Sequence, residues 1–152
     1  MSTTIISYQP NYKNHFIALN KAWLEEFFYV EPHDIDAFEN LEEIILKPGG
    51  EIFFCLYDGE IAGTVAMQKV NDTTFELAKL AVDKKFQGKK LSNLLMDACI
   101  AFAKEKKATT IMLVSSTKLD TALSLYRKYN FIEVPMAEND YDRADIQMEL
   151  YL

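Results

Sequence analysis

The chain has 152 residues, of which 49% are hydrophobic and 26% charged, and its formal net charge is −7. That composition is ordinary for a globular protein, and the length fits one domain, 1–152, able to bury a core without staples. The acidic balance argues against nucleic acid, whose phosphates call for Lys and Arg, and against an anionic membrane surface.

Residues 4–9 read as a short strand ended by Pro10. Phe16, Leu19, Trp23 and Phe27 then recur at helical spacing, with Leu24 and Phe28 beside them, until Pro32. Asp34 is placed to cap a second helix carrying Ile35, Phe38, Leu41 and Ile45, which Pro48-Gly49-Gly50 stops. The stretches 51–57 and 60–69 flank Asp58-Gly59, a hairpin signal, and a third strand covers 73–82. These three strands should be antiparallel.

A helix with Leu91, Leu94, Leu95, Ala98 and Phe102 on one stripe follows. The β-branched run 109–115 comes next, and a strand, helix and strand of this length suit a parallel crossover. Residues 119–129 read as a short helix with Ala122, Leu125, Tyr126 and Tyr129 aligned. The end of the chain reads as a brief strand 131–134, a polar loop, and a strand on which Ile146, Met148, Leu150 and Leu152 alternate. The order is β-α-α-β-β-β-α-β-α-β-β, an α/β or α+β domain with a mixed sheet.

No apolar run approaches the roughly 20 residues that span a bilayer, and no signal-peptide pattern opens the chain. Cys55 and Cys99, the two cysteines, fall in apolar runs and read as reduced packing residues, so the expected compartment is the cytoplasm. His15 and His33 stand apart with no ligand set around them, so no metal is expected.

The segment 82–95 carries the chemistry. A strand ends at Val82, a turn holds Lys84, Lys85, Lys89 and Lys90, and an amphipathic helix begins near Leu91. The first amides of a helix lack intrahelical partners and, with the helix dipole, form an anion site. Gly88 lets backbone approach a ligand. By itself this reads either as a phosphate turn or as a solvated basic turn. It lacks the glycine and Gly-Lys-Ser/Thr pattern of a Walker A loop and the three glycines of a dinucleotide fingerprint.

Leu80-Ala81-Val82 followed by Gln87-Gly88-Lys89-Lys90-Leu91-Ser92 resembles the core motif of the Gcn5-related N-acetyltransferase (GNAT) family, with Lys90 and Ser92 where glycines are usual. A second match is Ala122-Leu123-Ser124-Leu125-Tyr126-Arg127-Lys128-Tyr129-Asn130-Phe131, where Asn130 replaces the usual glycine and Leu119 an expected Asn. The resemblance covers essentially the whole chain. It implies the acyl-CoA N-acyltransferase fold, with a mostly antiparallel central sheet, and acetyl-CoA as cosubstrate.

The resemblance further implies pyrophosphate on the amides of Gln87, Gly88, Lys89, Lys90, Leu91 and Ser92. The pantetheine arm would lie along Leu80, Ala81 and Val82, and a primary amine of a small molecule or peptide would attack directly. Glu76 is the candidate base: strict alternation would put it on one face with Leu80 and Val82. Tyr126 is the candidate acid toward the thiolate and a contact to the coenzyme. A backbone N–H near 80–82 would stabilise the carbonyl oxygen, and Ser115 or Ser116 could line the cleft.

For the acceptor, the stretch 24–46 holds eight acidic residues and no Lys or Arg. This reads as a cation-attracting entrance or as the solvated faces of two helices. Asp140, Asp142, Arg143 and Asp145 could contact a substrate, and Arg143 could hold an acceptor carboxylate. The alternatives are a non-catalytic acyl-CoA-binding module and a different acyl donor. A homodimer through an exposed final strand is also open.

Overall fold

The computed structural model describes residues 2–138 and 141–152. Among the described residues seven strands form one sheet: β1 (Thr3–Ser7), β2 (Glu51–Tyr57), β3 (Glu60–Lys69), β4 (Thr74–Val82), β5 (Thr110–Ser115), β6 (Ile132–Val134) and β7 (Ile146–Tyr151), in the order β1-β2-β3-β4-β5-β7-β6. Every neighbouring pair is antiparallel except β4 and β5, joined by the crossover helix α3 (Leu91–Glu105). The expected hairpin closes at Asp58 and Gly59, both at positive φ, as the right-handed strand twist requires. β7 lies between β5 and β6, so the expectation of an exposed final strand does not hold; β6, three residues long, is the edge.

Two cores flank the sheet. One packs Phe16 and Leu24 of α1 (Lys13–Phe27), Phe38 of α2 (Pro32–Glu39) and Leu41 and Ile45 beyond it against Ile52, Phe54 and Ala66. The other packs Leu95, Met96 and Cys99 of α3 and Leu123 and Tyr126 of α4 (Asp120–Lys128) against Val65, Met67, Phe75, Leu77, Ile111 and Leu113. Burying each such side chain contributes about 1.5–3 kcal/mol. Both cysteines are fully buried and unpaired by disulfide, as packing residues should be.

The second helix departs from expectation. It breaks after Glu39, and a π-helical turn, Glu42–Leu46, carries the chain on, with Lys47 and Gly50 amides donating five residues back. Its cap is Glu31. Asp34 lies inside the first turn, fully buried, and its carboxylate accepts from the Glu31 amide at 2.9 Å. The α1 stripe is also rotated. Asn20 is buried, donating to the Phe16 carbonyl, while Phe27 is 45% exposed.

One irregularity creates the cleft. Thr64 pairs with Ala81 and Ala66 with Ala78, so Lys79 and Leu80 oppose Val65 alone. Lys79 occupies the left-handed region at φ 59°. Such a bulge bends and twists its strand. Pairing between β4 and β5 ends at Glu76 and Met112, although β4 continues to Val82 and β5 to Ser115. The two strands splay apart and leave an opening through the middle of the sheet.

Candidate active site

A cleft of about 720 Å3 runs through that opening. One side of its wall comes from Trp23, Leu24, Phe27 and Phe28 of α1 and its end. The other comes from Leu91 and Ser92 of α3 and Ala122, Leu125 and Tyr126 of α4. Since the two helix pairs lie on opposite faces, the cleft is lined from both.

The bulge corrects the expected placement of Glu76. Phe75 and Leu77 belong to the α3 core, and Leu80 and Val82 pack against that same core, odd and even numbers together. The additional residue reverses the alternation. Glu76 therefore lies across the sheet from Leu80 and Val82, on the α1–α2 side, where its charge reaches Lys79 and Tyr141. Glu76 and Tyr126 both line the cleft, from opposite faces. Tyr126 is buried, and burial, with the neighbouring Cys99, pushes its phenol up to about 12.

Leu80, Ala81, Val82, Gln87, Gly88, Lys90, Leu91 and Ser92 all line the cleft. Lys89 does not; its ammonium lies 5.1 Å from the centre of the Tyr57 ring. The turn is strained where glycine is usual. Lys90 caps α3 in the left-handed region at φ 60°, close behind Gly88 at φ 81°. A non-glycine residue there costs about 1–2 kcal/mol. Gly88 has open space around it, since a Cβ would meet nothing within 4 Å. Turn and helix N-terminus thus offer backbone amides and a Lys at one end of an apolar slot, a cradle that suits a pyrophosphate and a pantetheine arm. Ser115 and Ser116 line the wall, and Asn130 takes the left-handed turn after α4 at φ 74°, the role a glycine there would have.

The other end of the cleft holds a buried ion network absent from the sequence reading. Arg143 donates from Nη1 and Nη2 to the Asp34 carboxylate at 2.9 and 2.8 Å, and from Nη1 to Glu31 at 2.9 Å. Lys79 donates to Asp34 and, at 2.9 Å, to the Tyr141 hydroxyl. Tyr141 packs under the guanidinium at 4.2 Å and the ammonium at 4.8 Å. Burial alone would raise the Asp34 pKa, but hydrogen bonds from Arg143 and Lys79 hold it down to about 2. Burial lowers the Lys79 pKa, only partly offset by Asp34. Glu31 and Asp34 are therefore not solvated helix-face acids. They tie the start of α2 and the loop before β7 to the β4 bulge. The signal that could have found the network is Lys79 itself, a lone charge in Leu77-Ala78-Lys79-Leu80-Ala81-Val82.

Of the other loop residues, Arg143 lines the cleft with its charge already engaged. Asp142 accepts from Tyr29, and Asp145 accepts from the Thr117 amide and hydroxyl. Asp140 lies outside the described residues. Among the described residues no group of three His, Cys, Asp or Glu suits a metal ion, and no helix is long and apolar enough to cross a membrane.

The fold and cleft have close parallels. A GNAT-family acetyltransferase from Staphylococcus aureus Mu50 superposes with a TM-score of 0.88 at 23% identity, covering 99% of each chain. The PaiA N-acetyltransferase of Thermoplasma acidophilum, solved with coenzyme A, superposes with a TM-score of 0.78 at 17% identity over 100% of each chain. In sequence, the N-acetylaspartate synthetase of Danio rerio is 29% identical over 102 residues, 66% of this chain and 36% of that protein. The chain thus spans about a third of the length of the curated relatives it matches. The model of the acetyltransferase (GNAT) family matches residues 17–131. On that match, which takes in most of α1, the bulged β4, the basic turn and α4, the chain belongs to the GNAT acetyltransferase family.

Proposed function

We propose that residues 1–152 act as one N-acetyltransferase domain, moving an acetyl group from acetyl-CoA to a primary amine. The observation that carries this reading is the cleft through the sheet, with a basic turn and a slot on one side and Glu76 on the other. The coenzyme supplies an activated thioester. The amides of residues 87–92, with Lys90, hold its pyrophosphate, and the free side of Leu80-Ala81-Val82 pairs with its arm as an added strand would. Leu91, Leu125 and Tyr126 exclude water from the slot.

The acceptor enters from the α1–α2 side. Its nitrogen must be neutral to attack, and Glu76 takes its proton, directly or through a water. As the C–N bond forms and the C–S bond breaks, a backbone N–H of residues 80–82 donates to the carbonyl oxygen. Tyr126 donates its phenolic proton toward the departing sulfur. With a pKa of about 12, that phenol is protonated throughout the working pH range.

The test is release of free thiol from acetyl-CoA over a panel of amines, in the full chain and in Glu76→Gln. Loss of a general base costs about 100-fold or more in kcat/KM. Saturable coenzyme binding without turnover on any acceptor would instead favour an acyl-CoA-binding module. An unchanged rate and pH profile in Glu76→Gln would remove Glu76 as base.

A further inference from the structure

The acceptor end contains two cations that could receive a carboxylate, Lys79 and Arg143. Both are already spent. The guanidinium is held by two buried carboxylates, and the ammonium by one of them and a phenol. Glu31 and Asp34, 3% and 0% exposed, lie behind the wall, so the protein supplies from within the anions that a substrate would otherwise bring. Among the described residues, Glu76 adds a third carboxylate at this end. Lys118, another cation on the wall, reaches over the Phe28 ring at 5.8 Å and lies near Asp145. The same side of the wall carries an aromatic cluster: Trp23 packs on Phe27 and Phe28 with ring centres 5.4 and 5.8 Å apart.

Building on the transferase reading, we infer that the acceptor is a carboxylate-free amine with an aromatic or apolar body, and that Glu31 and Asp34 are the residues that exclude amino-acid acceptors. A primary alkyl- or arylalkylamine places its ring against Trp23, Phe27 and Phe28 and its nitrogen toward Glu76. The same molecule with a carboxylate beside the amine brings a second negative charge up to Glu76, and pairs with Lys79 or Arg143 only by displacing a buried anion. Glu31 and Asp34 touch no substrate; they act by keeping Lys79 and Arg143 neutralised.

The experiment compares matched pairs on the full chain, tyramine against tyrosine and phenethylamine against phenylalanine, with aspartate as a dianionic acceptor. Each is measured for kcat/KM with acetyl-CoA and for direct binding to the coenzyme-loaded protein by calorimetry. The expected result is a preference for the carboxylate-free member of about tenfold or more, the size of one uncompensated charge at a partly screened site. In Glu31→Gln, Arg143 gains spare charge, and the preference should narrow by about threefold or more.

Equal or better use of tyrosine or aspartate overturns the inference, as does a preference unmoved in a folded Glu31→Gln protein. Should that variant not fold, the wild-type pairs decide alone. If no amine is acetylated yet tyramine binds well above tyrosine, the transferase reading fails and the specificity inference stands. If neither member of either pair binds or reacts, the inference falls.

Discussion

Replacing Asp34 with Asn puts the buried network under direct test. The carboxylate is fully buried and receives the Glu31 amide, two guanidinium donors and the Lys79 ammonium. The amide is nearly the same size, but it carries no charge and leaves two buried cations with Glu31 as their remaining network carboxylate. Breaking a buried ion network in this way costs about 3–5 kcal/mol at neutral pH. Part of that cost depends on pH. The fall of the Asp34 pKa from its ordinary 3.8 to about 2, at roughly 1.4 kcal/mol per pKa unit, corresponds to about 2 kcal/mol.

Because the folded-state pKa is the lower one, this stabilisation is fully present above the unfolded value and disappears as pH falls through the folded value. Urea unfolding followed by the fluorescence of Trp23, the sole tryptophan, gives the stability of both proteins from pH 7 down to about pH 2. The gap between them should hold down to about pH 4.5 and then shrink by about 2 kcal/mol as Asp34 protonates in the wild type. A gap below about 1 kcal/mol at pH 7 would show that the network contributes little. A gap that stays constant from pH 7 to pH 2.5 would show that the Asp34 charge is not what the cations hold.

Three further outcomes follow from the geometry. Tyr126→Phe should lower kcat by about tenfold or more while leaving coenzyme binding near wild type, and wild-type kcat should show no fall from this phenol below pH 10, given its pKa of about 12; stopped-flow thiol release checks both. Gly88→Ala should destabilise by about 1–2 kcal/mol through backbone conformation alone, since a Cβ there meets nothing, and should also weaken coenzyme binding measured by calorimetry. Gly50→Ala should cost more than about 3 kcal/mol in thermal or urea unfolding, because its Cβ would lie 2.3 Å from the Met67 carbonyl oxygen and 2.4 Å from that of Ile45, both backbone atoms that cannot step aside.

Much of the architecture is written in local sequence. Asp58-Gly59 demands a primed turn, so β2 and β3 pair as a hairpin whatever lies around them. The strand-turn-helix from Leu80 to Leu95 and the Leu125-Tyr126 helix carry the family motifs and line the cleft, and the turn's amides, which suit an anion, are placed by local sequence. The left-handed turn after α4 was legible in Asn130 for the same reason.

The α1–α2 side of the cleft was not legible in this way. Alternation assigned Glu76 to the wrong face, since a single bulged residue, Lys79, inverts the period and no local rule announces it. The strength of that position comes from Asp34, Tyr141 and Phe38, 45, 62 and 41 residues away along the chain. Asp34 read as a helix cap, Glu31 as one acid among eight and Arg143 as a substrate contact for the same reason: a charge's partner is unknown from the sequence, and these partners meet only once the helices and the last loop close on the sheet. The sequence alone determined the family, through motifs built from contiguous residues. Only the tertiary structure decided which face bears Glu76 and which charges pair inside the cleft wall, because those depend on a bulge and on pairings between distant segments.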